Sequence, residues 1–152
     1  PLPLTSITSL RTGWKWRPNG NTGQYNSAYD VWLGDGTSVS GHKSFLMVWL
    51  RDPPGQQPAG MVQHRGVTVA NVPGTWNVWV GQVGGKPCIS YVRAEGQDTY
   101  ELEFDVMDFV RDTSTRSIQL PGSHILSVAV GFEIWNGPIT NLYSDDFYVK
   151  VN

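Results

Sequence analysis

Apolar side chains alternate with polar ones in short runs along this chain, and Gly, Pro, Asn and Asp separate the runs. A period of two places every second side chain on one face of a β-strand, whereas an amphipathic helix needs a period near 3.6. The pattern therefore predicts an all-β fold, an antiparallel sandwich or barrel. The predicted strands span 13–17, 24–33, 44–51, 66–72, 75–81, 88–95, 125–135 and 146–151.

One segment departs from this period, because four apolar residues recur at helical spacing: Leu102, Val106, Phe109 and Val110. Polar residues stand between them, so we predict one α-helix at 103–112 that packs on the outside of a sheet. No repeat, linker or block of charge divides the 152 residues. The chain is therefore expected to form a single domain over 1–152.

Charge and composition exclude several classes of partner. With 11 Lys and Arg against 13 Asp and Glu, the chain lacks the cationic excess of nucleic-acid-binding proteins. Its longest apolar stretch, 45–50, is far shorter than the roughly 20 residues of a membrane-spanning helix.

The three histidines have no metal-ligand spacing, and no phosphate-binding loop is present, so neither metal nor cofactor is expected. The single Cys88 is interpreted as a small buried hydrophobe.

Two predicted strands carry a face that mixes small, polar and aromatic side chains. On 24–33 that face holds Asn26, Ala28, Asp30 and Trp32, and the opposite, core-facing side holds Tyr25, Tyr29, Val31 and Leu33. On 125–135 it holds Ser127, Ala129, Gly131, Glu133 and Trp135. An indole ring can pack on the C–H face of a sugar while amide and carboxyl groups bind its hydroxyls. Two alternatives involve no ligand. Glu133 could lie on an ordinary solvent-facing strand surface, and the tryptophans could simply fill a β core.

Five segments resemble successive blocks of glycoside hydrolase family 12, whose members are β-1,4-glucan and xyloglucan endohydrolases. These blocks are YNSAYDVW at 25–32, LMVWL at 46–50, QPAG at 57–60, WNVW at 76–79 and SVAVGFEIW at 127–135. They run in order over essentially the whole chain, and the predicted helix matches the family's one helix. The resemblance implies a two-sheet β-jelly roll, a β-glucan ligand and a secreted protein.

The resemblance also implies roles for individual residues. Glu133 corresponds to the family's acid/base and Asp30 to its accessory acid. The family's nucleophilic glutamate stands two residues before the methionine of the LMVWL block, where this chain has Phe45. A retaining glycosidase needs two carboxyl groups about 5 to 5.5 Å apart, and phenylalanine supplies none.

Phe45 can be read in two ways. It shares a strand face with Met47 and Trp49, and the resemblance assigns that face to the cleft, where an apolar strip could stack on a glucan chain. The alternative is that the cleft collapses and buries Phe45 as core. We favour burial, because a phenylalanine in a strand is more often packed than exposed.

Three functions remain open. The first is noncatalytic recognition of a β-1,4-glucan, with Asn26, Asp30 and Glu133 hydrogen-bonded to sugar hydroxyls. Sugar rings would stack on Trp32, Trp49 or Trp135, with Met47 as a further contact. The second is an active endo-β-1,4-glucanase that uses Glu133 with Asp30, at the 6.5 to 9.5 Å or so of an inverting pair. The third is a protein-interaction or decoy role. The chain begins where the family's sequence is already well advanced, so exposed sheet edges could pair with a second copy or a partner chain.

Overall fold

A computed structural model describes residues 1–152. In chain order its strands are β1 (Leu2–Pro3), β2 (Leu10–Arg17), β3 (Gln24–Tyr25), β4 (Ser27–Gly34), β5 (His42–Arg51), β6 (Met61–Val69), β7 (Val72–Val83), β8 (Lys86–Arg93), β9 (Glu101–Asp105), β10 (His124–Gly131), β11 (Ile134–Asn136) and β12 (Tyr143–Val151). One α-helix, α1, spans Val106–Thr115, and single 3-10 turns span Leu4–Ser6 and Val39–Gly41. None of these helices is long and apolar enough to cross a membrane.

The strands form three sheets. The largest has the order β1-β10-β4-β5-β8-β7-β6, a second has the order β12-β2-β9, and the short strands β11 and β3 pair with each other. The predicted all-β sandwich with one helix is confirmed. One strand pair departs from the antiparallel prediction, because β5 and β8 run parallel. After β5 the chain crosses to the far edge of the sheet, and the β6-β7-β8 meander returns β8 to the side of β5.

Aromatic rings fill the space between the two larger sheets. Trp14 of β2 lies edge to face against Tyr29 of β4, with ring centroids 5.9 Å apart, and Phe104 of β9 lies 4.9 Å from the same ring. Phe109 of α1 closes the core against Tyr91 at 4.9 Å. Four of the seven tryptophans are almost fully buried: Trp14, Trp16, Trp49 and Trp76. Filling of a β core by several tryptophans is therefore confirmed.

The helix begins three residues later than predicted. Residues 101–105 form β9, a strand that the sequence analysis missed, and its buried Leu102 and Phe104 alternate with exposed glutamates. The change from strand to helix occurs at Asp105. Its Oδ1 accepts the N–H of Met107 at 2.9 Å, which caps α1, and the N–H of Leu10 at 3.0 Å, which ties the helix to β2.

Two predicted strands are divided in the structure. The 24–33 segment is interrupted at Asn26, and the 125–135 segment is interrupted after Gly131. The second break has a packing cause: Phe132 turns inward to lie 5.5 Å from Trp14 and 5.8 Å from Trp16. The chain then resumes as β11 and pairs with β3 rather than β4. Glu133 consequently lies in the gap between two strands, not in the middle of one as predicted.

Replacement of Asp105 by alanine is expected to lower the free energy of unfolding by about 2 to 4 kcal/mol. It removes a helix cap, worth about 1 kcal/mol, and leaves the N–H of the buried Leu10 without an acceptor, at about 1 to 3 kcal/mol. Asp105→Asn keeps an oxygen at the same place and is the matched control, with a loss below about 1 kcal/mol. Urea denaturation followed by tryptophan fluorescence measures both; equal losses would contradict the capping role.

Candidate functional site

Pairing across three neighbouring strands builds one face of the large sheet, called here the cleft face. The paired side chains of β10, β4 and β5 form three rows: Gly131, Ala28 and Trp49; Ala129, Asp30 and Met47; and Ser127, Trp32 and Phe45. Directly opposed residues share a face of a sheet. The other face of β4 carries Tyr29, Val31 and Leu33, all fully buried. The predicted division of this strand into a core side and a mixed side is therefore confirmed.

Small side chains leave a cavity of about 160 Å³ on the cleft face. Its lining residues are Asn26, Ala28, Asp30, Met47, Ala129, Val130, Gly131, Phe132 and Glu133. A Cβ atom built on Gly131 would meet no heavy atom within 4 Å, so the space above this glycine is open. The structure thus brings Asn26, Asp30, Met47 and Glu133 together, as the sequence predicted.

Asn26 holds Glu133 in place. Its side-chain N–H donates to Glu133 Oε1 at 2.7 Å, and its Oδ1 accepts the backbone N–H of Glu133 at 2.8 Å. The backbone N–H of Asn26 also donates to the carbonyl of Glu133 at 3.0 Å. The predicted contact of Asn26 with sugar hydroxyls is not supported, because the residue is 0% exposed and its amide is used on Glu133.

Asp30 receives no such support. It lies between Ala129 and Met47 on neighbouring strands and makes no side-chain hydrogen bond within the protein. Burial, together with the smaller effect of the negative charge of Glu133, raises the pKa of its carboxyl to about 6. Desolvation and a nearby like charge both disfavour the ionised form. The cavity therefore contains one carboxyl group that the protein orients and one that it desolvates.

Phe45 packs into an aromatic cluster formed by Trp32, His42 and Phe45. The ring centroids of Phe45 and Trp32 lie 5.4 Å apart, and those of Phe45 and His42 lie 5.6 Å apart. Phe45 is 7% exposed and stands opposite the buried Cys88 of β8. The predicted burial of Phe45 and of Cys88 is confirmed. Phe45 is not buried by the predicted collapse of the cleft. Neighbouring side chains on the cleft face cover its ring, and the cavity beside it stays open.

His42 is a residue that sequence reasoning missed. The sequence analysis found no metal-ligand spacing for it and did not place it on the cleft face. Its ring lies 4.5 Å from that of Trp32, and its Nδ1 is 2.9 Å from the carbonyl of Val39. Positions 42 and 45 cannot share a face of a regular strand. A register shift between Leu33 and Gly34 of β4, opposite the start of β5, brings them together. Alternation alone carries no signal for such an irregularity.

The tryptophans of the cleft face occupy different depths. Trp49 is 1% exposed and lies beneath Trp135, with ring centroids 5.7 Å apart, whereas Trp135 is 39% exposed. Sugar stacking on Trp49 is therefore ruled out by burial. Trp79 of β7 was not predicted as a site residue, but pairing across β5, β8 and β7 carries the row from Met47 through Ser90 to Trp79. Residues 76–79 alternate between the two faces of a strand, and this alternation could have assigned Trp79 to the cleft face.

The cleft face combines two carboxyl groups, an aromatic cluster and one half-exposed indole. Carboxylates accept hydrogen bonds from hydroxyl groups, and a protonated Asp30 can also donate one. No cluster of three His, Cys, Asp or Glu residues that could hold a metal ion is found. The arrangement suits a ligand rich in hydroxyls that also presents apolar C–H faces.

Replacing Glu133 by glutamine is expected to lower the pKa of Asp30 from its value of about 6. The change removes the nearby negative charge. Burial, the larger cause, remains, so the pKa should stay above that of an ordinary aspartate. Carboxyl-carbon NMR titration measures it, with Glu101→Gln on the exposed face of β9 as control. An Asp30 pKa that is the same in Glu133→Gln and the parent chain would show that the two carboxyl groups do not interact.

Comparison with known proteins agrees with this geometry. Residues 1–152 match the model of glycosyl hydrolase family 12. Xyloglucan-specific endo-beta-1,4-glucanase A of Aspergillus niger is 26% identical over 151 residues, which cover 97% of this chain and 61% of that protein. The corresponding enzyme of Emericella nidulans is 25% identical over 153 residues and is covered to the same extent, 61%.

A solved structure extends the likeness to three dimensions. Endoglucanase Cel12A from Rhodothermus marinus is 32% identical and superposes with a TM-score of 0.84, over 100% of this chain and 66% of that one. The chain spans about three fifths of the length of the curated relatives that it matches. Because the family model covers every residue, the chain belongs to glycosyl hydrolase family 12.

Proposed function

We propose that this chain is a noncatalytic β-1,4-glucan-binding domain that uses its cleft face to hold the polysaccharide. The observation that carries the proposal is Phe45, which stands two residues before Met47, where the resemblance expects the nucleophilic carboxylate. Its ring is packed against Trp32 and His42. The retaining mechanism requires a carboxylate to attack the anomeric carbon, and this position has none. An extracellular site of action is part of the same proposal.

The remaining groups support binding. Asn26 orients Glu133. The Glu133 carboxylate can therefore accept hydrogen bonds from sugar hydroxyls without a further loss of side-chain freedom. Ala28, Ala129 and Gly131 leave room above the sheet for a pyranose ring. Trp135, whose ring stacks on Trp49 opposite the cavity residue Ala28, offers a half-exposed indole. Both named relatives act on xyloglucan, so xyloglucan and unsubstituted β-1,4-glucan are the ligands to test first.

One observation favours a second candidate function, residual hydrolysis. Asp30 and Glu133 face the same cavity, and Glu133 contributes to the raised pKa of Asp30. Inverting hydrolysis requires two carboxyl groups, one acting as acid and one as base, with room for a water molecule between them. Met47, opposite Asp30, and the packed ring of Phe45 are apolar, so they give no strong hydrogen bond to the water that this reaction needs. That favours binding over catalysis.

Binding is tested by affinity gel electrophoresis in xyloglucan, hydroxyethyl cellulose and mixed-linkage glucan. The chain is expected to be retarded in at least one of them. Trp135→Ala should weaken binding roughly 3- to 10-fold, as expected for loss of an aromatic contact. Tyr143→Ala removes a similarly exposed aromatic ring from β12, in the other large sheet, and should leave the retardation unchanged. Unaltered mobility of the parent chain in every glucan would reject the proposal.

Catalysis is tested by release of reducing sugar. The parent chain is expected to release no more than Glu133→Gln, whereas Phe45→Glu places a carboxyl group at the nucleophile position and should gain an activity that Phe45→Glu/Glu133→Gln lacks. Tryptophan fluorescence and circular dichroism check that each variant folds. Hydrolysis by the parent chain that disappears in Glu133→Gln would favour the second candidate and overturn the noncatalytic one.

A further inference from the structure

One peptide unit, between Tyr25 and Asn26, lies at the break between β3 and β4. Its N–H donates to the backbone carbonyl of Glu133 at 3.0 Å. The peptide is trans and planar, so its own carbonyl group points in the opposite direction. That carbonyl accepts a hydrogen bond from Nη1 of Arg51. The two ends of this single peptide unit therefore contact Arg51 on one side and Glu133 on the other.

Arg51 is itself held by several contacts. It is the last residue of β5 and is 8% exposed. Its guanidinium carbon lies 4.0 Å from the centroid of the Tyr25 ring, and its Nε lies 3.4 Å from Oδ2 of Asp98. A planar guanidinium group can stack on a ring while its several N–H groups bind a carbonyl and a carboxylate, whereas a lysine ammonium group is a point charge. The donor to the Tyr25 carbonyl consequently has a fixed position.

Regular strand pairing does not fix the residues that this peptide connects. Asn26 lies between β3 and β4, and Glu133 lies between β10 and β11. Buried backbone groups outside a ladder need other partners, such as side chains. The buried carbonyl of Tyr25 finds its partner in the charged side chain of Arg51, and hydrogen bonds from charged donors are roughly twice as strong as neutral ones. Arg51 thus fixes a peptide plane that no strand ladder fixes.

The orientation of this peptide sets the position of Asn26, and Asn26 sets that of Glu133. The Asn26 side chain donates to Oε1 of Glu133 at 2.7 Å and accepts its backbone N–H at 2.8 Å. Because the Cα atom of Asn26 is bonded to the peptide nitrogen, a rotation of the peptide plane would disturb these two contacts and the backbone bond together. A hydrogen bond to the carbonyl also polarises the N–H at the other end of the peptide. The path from Arg51 to the Glu133 carboxyl group thus consists of one peptide unit and one side chain.

We infer that Arg51 is a positioning residue for Glu133 and acts through the peptide between Tyr25 and Asn26. Arg51 does not line the cavity, so it orients Glu133 without contacting a ligand there. Its effect on glucan binding rests on the proposed function, whereas its link to Glu133 does not. Residual hydrolysis would use the same carboxyl group, so Arg51 has the same role in either candidate function.

Two methionine variants separate positioning from support of the fold. Arg51→Met keeps the aliphatic stem and removes every donor. Arg93→Met is the matched control, because Arg93 makes the same kinds of contact elsewhere. The guanidinium carbon of Arg93 lies 5.0 Å from the centroid of the Trp76 ring, and its Nε donates to the carbonyl of Gln97 at 3.1 Å. Both variants should lose stability in urea, but only Arg51→Met should disturb Glu133.

NMR tests the link to Glu133 without any ligand. The scalar coupling across the hydrogen bond from the Asn26 N–H to the Glu133 carbonyl should decrease or vanish in Arg51→Met and keep its parent value in Arg93→Met. Arg51→Lys keeps a charge beside Asp98 but lacks the planar fork, so its coupling should lie between the other two. This variant carries the test if Arg51→Met does not fold. A coupling equal to that of the parent in the Arg51 variants overturns the inference.

Glucan affinity tests the consequence for binding. With a glucan that the parent chain binds, Arg51→Met and Glu133→Ala should each weaken affinity roughly 3- to 10-fold, the equivalent of one hydrogen bond. Arg51→Met/Glu133→Ala should bind within about twofold of Glu133→Ala alone, because a residue that acts through another adds nothing once the other is removed. Losses that add up would instead show that Arg51 acts independently of Glu133, against the inference. A parent chain that binds no glucan rejects the proposed function, and the NMR coupling alone then decides the role of Arg51.

Discussion

Alternation along β4 couples the core of the sandwich to its cleft face. Tyr29 is fully buried and lies against Trp14, Phe104 and Phe147, which come from all three strands of the second large sheet. The next residue, Asp30, points into the cavity on the other side. A displacement of the Tyr29 ring therefore moves the backbone that carries Asp30. The position of the cavity carboxyl thus depends on aromatic packing on the opposite side of the sheet.

The two carboxyl groups of the cavity have opposite relations to stability. Asn26 donates a hydrogen bond to the Glu133 side chain and accepts one from its backbone N–H, and both bonds are made only in the folded state. Asp30 is desolvated, so the folded state holds its proton at pH values where the unfolded chain has released it. Its ionisation lowers the free energy of unfolding as the pH rises from about 4 to about 6. Asp52, whose pKa burial also raises to about 6, acts in the same direction.

Local patterns in the sequence predict much of this molecule. The two faces of β4 follow from alternation, and the sandwich architecture agrees with the family resemblance. The start of α1 could not be predicted, because Leu102 satisfies the strand period with Phe104 and the helical period with Val106. The position of Glu133 depends on Phe132 turning into the core, and that of His42 depends on a register shift. Parallel pairing of β5 with β8 is a long-range feature that no local pattern encodes.

The stacked pair of Trp49 and Trp135 has a consequence for the entropy of binding. Trp135 lies on the three-residue strand β11, all of whose residues are exposed, so the strand itself does little to fix the indole. Trp49 beneath it restricts the rotamers that the upper ring can adopt. Immobilising a free side chain at an interface costs about 0.5 to 1.5 kcal/mol. An indole that is already restrained avoids part of this cost, so the buried tryptophan would strengthen binding without touching the ligand.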